Sequence, residues 1–366
     1  MITAITGKGF YIWKIPSCEN GDPQAIAQIA YQSGLSHVLI KIANGIYDYN
    51  YDASLRKDLV APVADALHAK GIAVWGWHYV FGDLPREEAK AAIRQINKLP
   101  LDGYVIDAEG EYKDKYTPCR IFMNELRNAL PDFPMALSSY RYPKYHPQLP
   151  WQDFLNKCDI NMPQLYWEQA HNPREQLMRS IKEFQTITPI RPYFPTGAAY
   201  ASGGWQPTVE DVLEFMNAAI EFGLSGVNYW SWDYCRLKLP SLWQAIANFS
   251  WPGNPNPVKD ICEKYIDALN TRNAQTVLQL YKQNAIHINA KRTIQGTSQL
   301  STWYKDFLIN QFPNMTFSMH SFTGKENAKH FNWKVISAGK IIYEGEDTIG
   351  VQDGNILYHY SSYFGD

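Results

Sequence analysis

Eight short apolar runs recur between residues 8 and 235, and each is followed by a stretch with helical spacing. The runs are "GFYIWKI" (9–15), "SHVLIKIA" (36–43), "IAVWGWHYV" (72–80), "GYVIDAE" (103–109), "PMALSSY" (134–140), "DINMPQLYW" (159–167), "IRPYFPT" (190–196) and "GVNYWSWD" (226–233). A run of four to eight apolar residues reads as a strand buried on both faces. The intervening segments carry helix punctuation. In "DPQAIAQIAYQSG", Asp22 is placed to cap the N-terminus, Pro23 takes the first helical position and Gly34 ends the segment. Eight strand–helix units in roughly 250 residues predict an α/β fold of the (β/α)₈ barrel type. A doubly wound open sheet is the alternative, but no Gly-rich GxGxxG follows the first strand.

The pattern changes after "SWPGNPNPVKD" (250–260), whose Pro and Gly density reads as a linker. The expected division is a barrel over 1–250, a linker over 251–256 and a small α+β domain over 257–366. Helical segments come first in this tail ("VKDICEKYIDALNTRNAQTVLQLY", "TSQLSTWYKDFLINQFP"). Strand-like runs follow, with Asp353–Gly354 as a hairpin turn.

The bulk numbers exclude several classes. Formal net charge is -2 with no long basic run, which argues against nucleic acid as a partner. No stretch of 18 or more apolar residues appears, so no membrane partner is expected. The N-terminus lacks a basic region followed by an apolar one. The sequence as given therefore implies a cytoplasmic protein, or an extracellular one had a leader been trimmed. The five cysteines are odd in number and form no CxxC, and no HxH or HExxH occurs. Neither a disulfide framework, a metal nor another cofactor is expected. Neither a G-x-S-x-G elbow nor a Walker loop is present.

The fourth run ends in acids at alternate positions: Asp107, Glu109 and Glu111. Side chains alternate across a strand, so Asp107 and Glu109 share a face with Val105, while Tyr104, Ile106 and Ala108 take the other. With the apolar set against helices, the two acids point inward and rise toward the C-terminal mouth, where barrel active sites sit. Burying two ionised carboxylates costs stability unless they are hydrogen-bonded or share a proton. Neighbouring carboxylates push their pKa values apart, leaving one protonated and able to act as an acid. Inward Cα atoms two residues apart lie about 6.5–7 Å from each other. The carboxyl groups are then expected closer than the ~5–5.5 Å of a nucleophile–acid pair and much closer than an inverting pair, which favours substrate-assisted chemistry. The competing structural reading is an acid salt-bridged to a neighbour such as Lys41.

The first 245 or so residues resemble the chitinase-like and lysozyme-like glycoside hydrolases, families 18 and 25, through "YVIDAEG", "SHVLIKIANG" and "NMPQLYW". The resemblance implies Glu109 as general acid, Asp107 as its partner, and Tyr166 with Gln164 beside the N-acetyl group of an amino-sugar polymer such as peptidoglycan or chitin. Two features depart from those families: the longer D-x-x-D-x-D-x-E run is absent, and "FYIWKI" carries no acid. Further substrate-contacting candidates are Lys41, Trp77, Tyr79, Tyr140 and Trp230. Asp233 is a candidate nucleophile across the barrel, or a cap for the next turn. Trp230 and Trp232 are expected on the face opposite Asp233. The tail resembles the NTF2-like (SnoaL-like) superfamily in "YIDALNTRNAQTVLQLY", "IQGTSQLSTWY" and "DTIGVQDGNILYHYSSY". That resemblance implies a cone-shaped pocket for varied small ligands and, through the sheet, a homodimer. His287 and His359 are its candidate pocket residues. Two alternatives stay open: a barrel that binds carbohydrate without turnover, or a tail that carries small-molecule chemistry on a scaffolding barrel.

Overall fold

The computed structural model describes residues 5–52, 54, 56–253, 259–325, 327–337 and 340–364. The chain divides into two compact units, Met1–Val258 and Lys259–Asp366. Residues 254–256 of the expected linker lie outside the described residues.

The first unit is a mixed α/β structure built on a curled parallel sheet. Its strands are β1 (Gly7–Ile12), β2 (His37–Asn44), β3 (Ala73–Val80), β4 (Gly103–Ala108), β5 (Met135–Ser138), β6 (Ile160–Asn161), β7 (Gln164–Leu165), β8 (Thr196–Ala198) and β9 (Gly226–Trp230). They are ordered β7-β8-β9-β1-β2-β3-β4-β5-β6, so the two ends of the sheet are consecutive in the chain. The sixth apolar run, expected as one strand over 159–167, is divided at Met162–Pro163. Proline has no N–H to give a ladder and interrupts it there. The first half pairs with β5 through Ala136↔Ile160, and the second with β8 through Gln164↔Thr196. Isolated bridges join Tyr140 to Gln164 and Asn161 to Tyr193. The seventh run, expected over 190–196, forms its strand later, at 196–198, because Pro192 and Pro195 remove two donors from the earlier stretch.

Helices α1 (Pro23–Gln32), α2 (Val60–His68), α3 (Pro85–Lys98), α4 (Tyr116–Ala129), α5 (Trp151–Leu155), α6 (Pro173–Phe184) and α7 (Val209–Glu221) connect these strands, and α8 (Trp232–Lys238) and α9 (Pro240–Asn248) follow the last. At the start of α1, Asp22 accepts from the Gln24 and Ala25 amides, the cap that its sequence signals.

Strand alternation divides the apolar residues into two layers. Tyr104, Ile106 and Ala108 join the outer core with Phe122, Met123 and Leu126 of α4. Val105 instead joins an inner cluster with Tyr11, Leu39, Trp75, Trp77, Ala136 and Phe194. Gly103 permits this inner packing: a Cβ there would stand 2.5 Å from the Trp75 indole.

The second unit places α10 (Ile261–Asn270), α11 (Ala274–Leu278) and α12 (Thr297–Asp306) against a six-stranded sheet. Its strands are β10 (Tyr281–Asn289), β11 (Arg292–Gln295), β12 (Thr316–Lys325), β13 (Ala328–Ser337), β14 (Lys340–Gln352) and β15 (Asn355–Phe364), in the order β11-β10-β15-β14-β13-β12. The pairs are antiparallel except β10 with β15, which is parallel. Asp353 and Gly354 turn the last hairpin with φ of 50° and 76°, as a two-residue turn of that hand requires.

Candidate active site

At the C-terminal end of β4, Asp107 and Glu109 enter a cleft of about 490 Å³. The strand's alternation places them there, because the helix-facing positions are filled by Tyr104, Ile106 and Ala108. The chain then makes a single turn over Gly110–Tyr112, which carries the third acid away. Glu111 is exposed and accepts a 2.7 Å hydrogen bond from the Tyr79 hydroxyl. Three alternating acids thus divide into an inward pair and an outer member.

Gln164 on β7 faces the pair. Its Nε2 donates to Asp107 Oδ1 at 2.9 Å and to Glu109 Oε1 at 2.8 Å. Two oxygens served by one amide nitrogen lie roughly 6 Å apart or closer, inside the spacing of an inverting pair. Burial and then the Glu109 charge push Asp107 well above the ordinary carboxylate range, while Lys41 and the Gln164 bond pull it back. Burial raises Glu109 as well, against the Gln164 bond and with the Glu111 charge. Two acids held this closely in low dielectric titrate as a pair, so one retains a proton when the other is ionised.

Gln164, Tyr166, Tyr140 and Trp230 line the same cleft as the acids. Lys41, Trp77, Tyr79 and Asp233 are not part of its lining. Lys41 is buried and donates to Asn44 Oδ1 at 2.8 Å. Its ammonium stands 4.6 Å from the rings of both Trp77 and Tyr49, and it forms no salt bridge with Asp107. Burial, opposed by the Asp107 charge, lowers its pKa to about 8. Trp77 is an inner-core residue whose Nε1 donates to the Ile12 carbonyl at 3.0 Å. Asp233 lies in the first turn of α8 and accepts from Ser231 Oγ at 2.8 Å, so it acts at that turn. The expectation that Trp230 and Trp232 share a face does not hold. The strand ends at Trp230 and helix begins at Trp232, so the period of two stops, and Trp232 is buried in the outer core.

The sequence reading missed the segment after β5. Arg141, Tyr142, Tyr145 and His146 all line the cleft, and the His146 ring stacks on Tyr140 at 3.7 Å and 16°. The signal was the dense alternation of aromatics and cations in "SYRYPKYH" (139–146). Tyr11 lines the cleft too, with its hydroxyl buried. Glu168 is a cleft residue too, and accepts from the Tyr200 hydroxyl at 2.6 Å.

The second unit holds a buried polar cluster. The Tyr281 hydroxyl bonds both Tyr304 and His359 Nδ1, and Tyr304 donates to Tyr265 at 3.1 Å. Asp347 accepts from Ser361 at 2.6 Å, and its Oδ2 lies 2.9 Å from His359 Nε2, off the hydrogen-bonding direction. His287 is fully buried beside His359 with both ring nitrogens unpartnered. Sequence reading had given these two histidines no constellation; the register His287↔His359 creates it.

Among the described residues no group of three or more His, Cys, Asp or Glu side chains is placed to hold a metal, and no helix is long and apolar enough to cross a membrane. The five cysteines are buried and unpaired.

The first unit is therefore a curled parallel α/β sheet with a carboxyl pair at the C-terminal end of one strand; the second is an α+β unit with a buried histidine–tyrosine cluster. No family model and no curated protein matches the chain. Solved structures similar to it include a SnoaL-like family protein from Agrobacterium tumefaciens, 21% identical, covering 29% of this chain and 95% of that one at a TM-score of 0.26. An NTF2-like protein from Cytophaga hutchinsonii is 13% identical over 28% of this chain and 87% of its own, at 0.24. One from Mesorhizobium loti is 16% identical over 29% and 88%, at 0.25. At such TM-scores these likenesses carry no weight for function.

Proposed function

We propose that the first unit is a glycoside hydrolase-like (β/α)₈ barrel acting on an N-acetylamino-sugar polymer, of the peptidoglycan or chitin type. Closure of the sheet is supported by the run that Pro163 divides. Its backbone bonds reach β5 on one side (Met162 N to Leu137 O, 2.7 Å) and β8 on the other (Thr196 N to Pro163 O, 2.9 Å). The observation that carries the activity is the Asp107–Glu109 pair held by Gln164 in an open cleft.

In this reading Glu109, protonated, gives its proton to the leaving-group oxygen as the glycosidic C–O bond breaks. The carbonyl oxygen of the substrate's own N-acetyl group attacks the anomeric carbon, and the Asp107 carboxylate steadies the positive charge that develops on the amide. Water then opens the cyclic intermediate and Glu109 recovers its proton. Tyr166 lines the cleft where the N-acetyl group would lie, and Trp230 offers a flat apolar face to a sugar ring. The test compares wild type with Glu109→Gln on labelled peptidoglycan and chitin oligomers. A loss of about 10²–10⁴ in turnover is expected for removal of a general acid; equal turnover rejects the assignment. Retained sugar binding with no turnover in either protein identifies a non-catalytic carbohydrate-binding barrel.

A second reading places small-molecule binding in the second unit, of the NTF2-like kind, with a homodimer through its sheet. Its favouring observation is His287, buried with two unpartnered nitrogens. A thermal-shift screen of small polar ligands against wild type and His287→Phe tests it, since a ligand seated on that ring stabilises only the wild type.

A further inference from the structure

The lining of the cleft holds a cation, Arg141, that makes no ion pair among the described residues. Arg141 and Arg179 both lie over the Tyr142 ring, with guanidinium carbons 5.1 Å and 3.9 Å from its centroid. One carboxylate serves them: Glu183 accepts from Arg179 Nε at 2.9 Å. Arg141, which lines the cleft, makes no ion pair among the described residues. Lys113 stands 5.4 Å over the Tyr140 ring, and His146, stacked on the same ring, has a buried Nδ1 without a hydrogen-bond partner. The acids of the cleft take their hydrogen bonds from neutral donors: Asp107 and Glu109 from Gln164, and Glu168 from Tyr200.

A guanidinium half withdrawn from water without a counter-charge costs free energy that a bound anion offsets. Its planar fork matches a carboxylate in two parallel hydrogen bonds. A neutral sugar uses none of that complementarity. Like charge also disfavours a carboxylate at the Asp107–Glu109 end, whereas Arg141 offers it an opposite charge within the same cleft. We infer that the cleft takes a saccharide bearing a carboxylate, seated with that group on Arg141 and its sugar ring along the 140–146 segment. This rests on the saccharide reading above and narrows its substrate class. The carboxylate has two chemical sources, a lactyl ether on an amino sugar or a uronic acid.

The test measures binding by calorimetry to the full chain carrying Glu109→Gln, so that nothing is turned over. The probes are the N-acetylglucosaminyl–N-acetylmuramic acid disaccharide, a glucuronic acid–N-acetylglucosamine disaccharide, the methyl ester of each, and chitobiose. At least one acid should bind roughly tenfold or more tightly than its own ester, as expected for a charge-assisted bidentate contact. That ratio should fall toward one when Arg141→Gln is added, and recover in part with Arg141→Lys. Which acid shows the ratio names the source. Equal affinity of acid and ester in both cases, with the ester or chitobiose still bound, overturns the inference and leaves the saccharide reading standing. Failure of every probe to bind overturns both. An unchanged ratio in Arg141→Gln overturns the assignment to Arg141.

Discussion

The Gln164 side-chain amide donates to Glu109 at 2.8 Å from 55 residues further along the chain. This one contact joins β7, which begins after the Pro163 interruption, to the end of β4. It favours the ionised form of Glu109, opposing burial. Gln164→Leu is therefore expected to move the basic limb of the pH–rate profile upward, because Glu109 keeps its proton to higher pH. Turnover should fall about tenfold or more, since a hydrogen bond to a charged group contributes ~1.5–3 kcal/mol. A profile with an unmoved basic limb contradicts the role assigned to the amide.

Asp107 makes the opposite contribution to stability. Its folded-state pKa is raised by burial and by Glu109. An acid whose pKa rises on folding stabilises the native state fully only below its unfolded value, near 3.9. Above that value the unfolded chain releases the proton first and stability declines. Asp107→Asn should then be more stable than wild type at pH 7, by about 1–3 kcal/mol, with the advantage shrinking toward pH 4. Urea unfolding across that range measures it. The same variant should lose turnover, because the carboxylate that steadies the reacting amide is gone.

Much of this arrangement was legible in the sequence because it follows from local rules. The period of two in 103–109 separates Val105, Asp107 and Glu109 from Tyr104, Ile106 and Ala108, and the two apolar layers obey it. Where the reading went astray, a local rule had been set aside or a long-range partner was needed. Pro163 stood inside the run 159–167 and should have been taken as a break in the ladder. Alternation was carried from Trp230 to Asp233 although the helix α8 begins between them. Lys41 was offered Asp107 as a partner, but Asn44, the Tyr49 ring after β2 and the Trp77 ring of β3 surround its ammonium instead. The 140–146 wall arises when a loop folds back so that His146 meets Tyr140, and nothing in residue spacing alone encodes that.

Lys8 illustrates a contact outside any motif. It sits near the start of β1, fully buried, and its ammonium donates to the carbonyls of Ile246, Ala247 (2.8 Å) and Phe249 (2.6 Å). Those carbonyls end α9, where unpaired acceptors and the helix dipole both favour a cation. Lys8→Met takes that donor from all three carbonyls, of which Ile246 keeps the Phe249 amide at 3.3 Å. We expect a loss of about 2–4 kcal/mol in the first unit, read by chemical denaturation, and a smaller loss for Lys8→Arg.

His287 sets the pH response of the second unit. Burial, with His359 and Arg292 nearby, lowers its pKa to about 2, so the folded ring stays neutral. In the unfolded chain the same imidazole takes a proton below about 6.5. Between those values the unfolded state binds one more proton, and stability declines as pH falls, by about 1.4 kcal/mol per unit for this single group. His359 and Tyr304, whose rings meet that of His287, and the charged Arg292 are all retained in His287→Leu, so the difference between the two proteins reports the imidazole. Wild type should lose stability more steeply than His287→Leu from pH 6.5 to pH 4.5, and the two curves should run parallel above pH 7.5. Parallel curves throughout would mean that the imidazole is already satisfied in solution, by water or by a bound ligand.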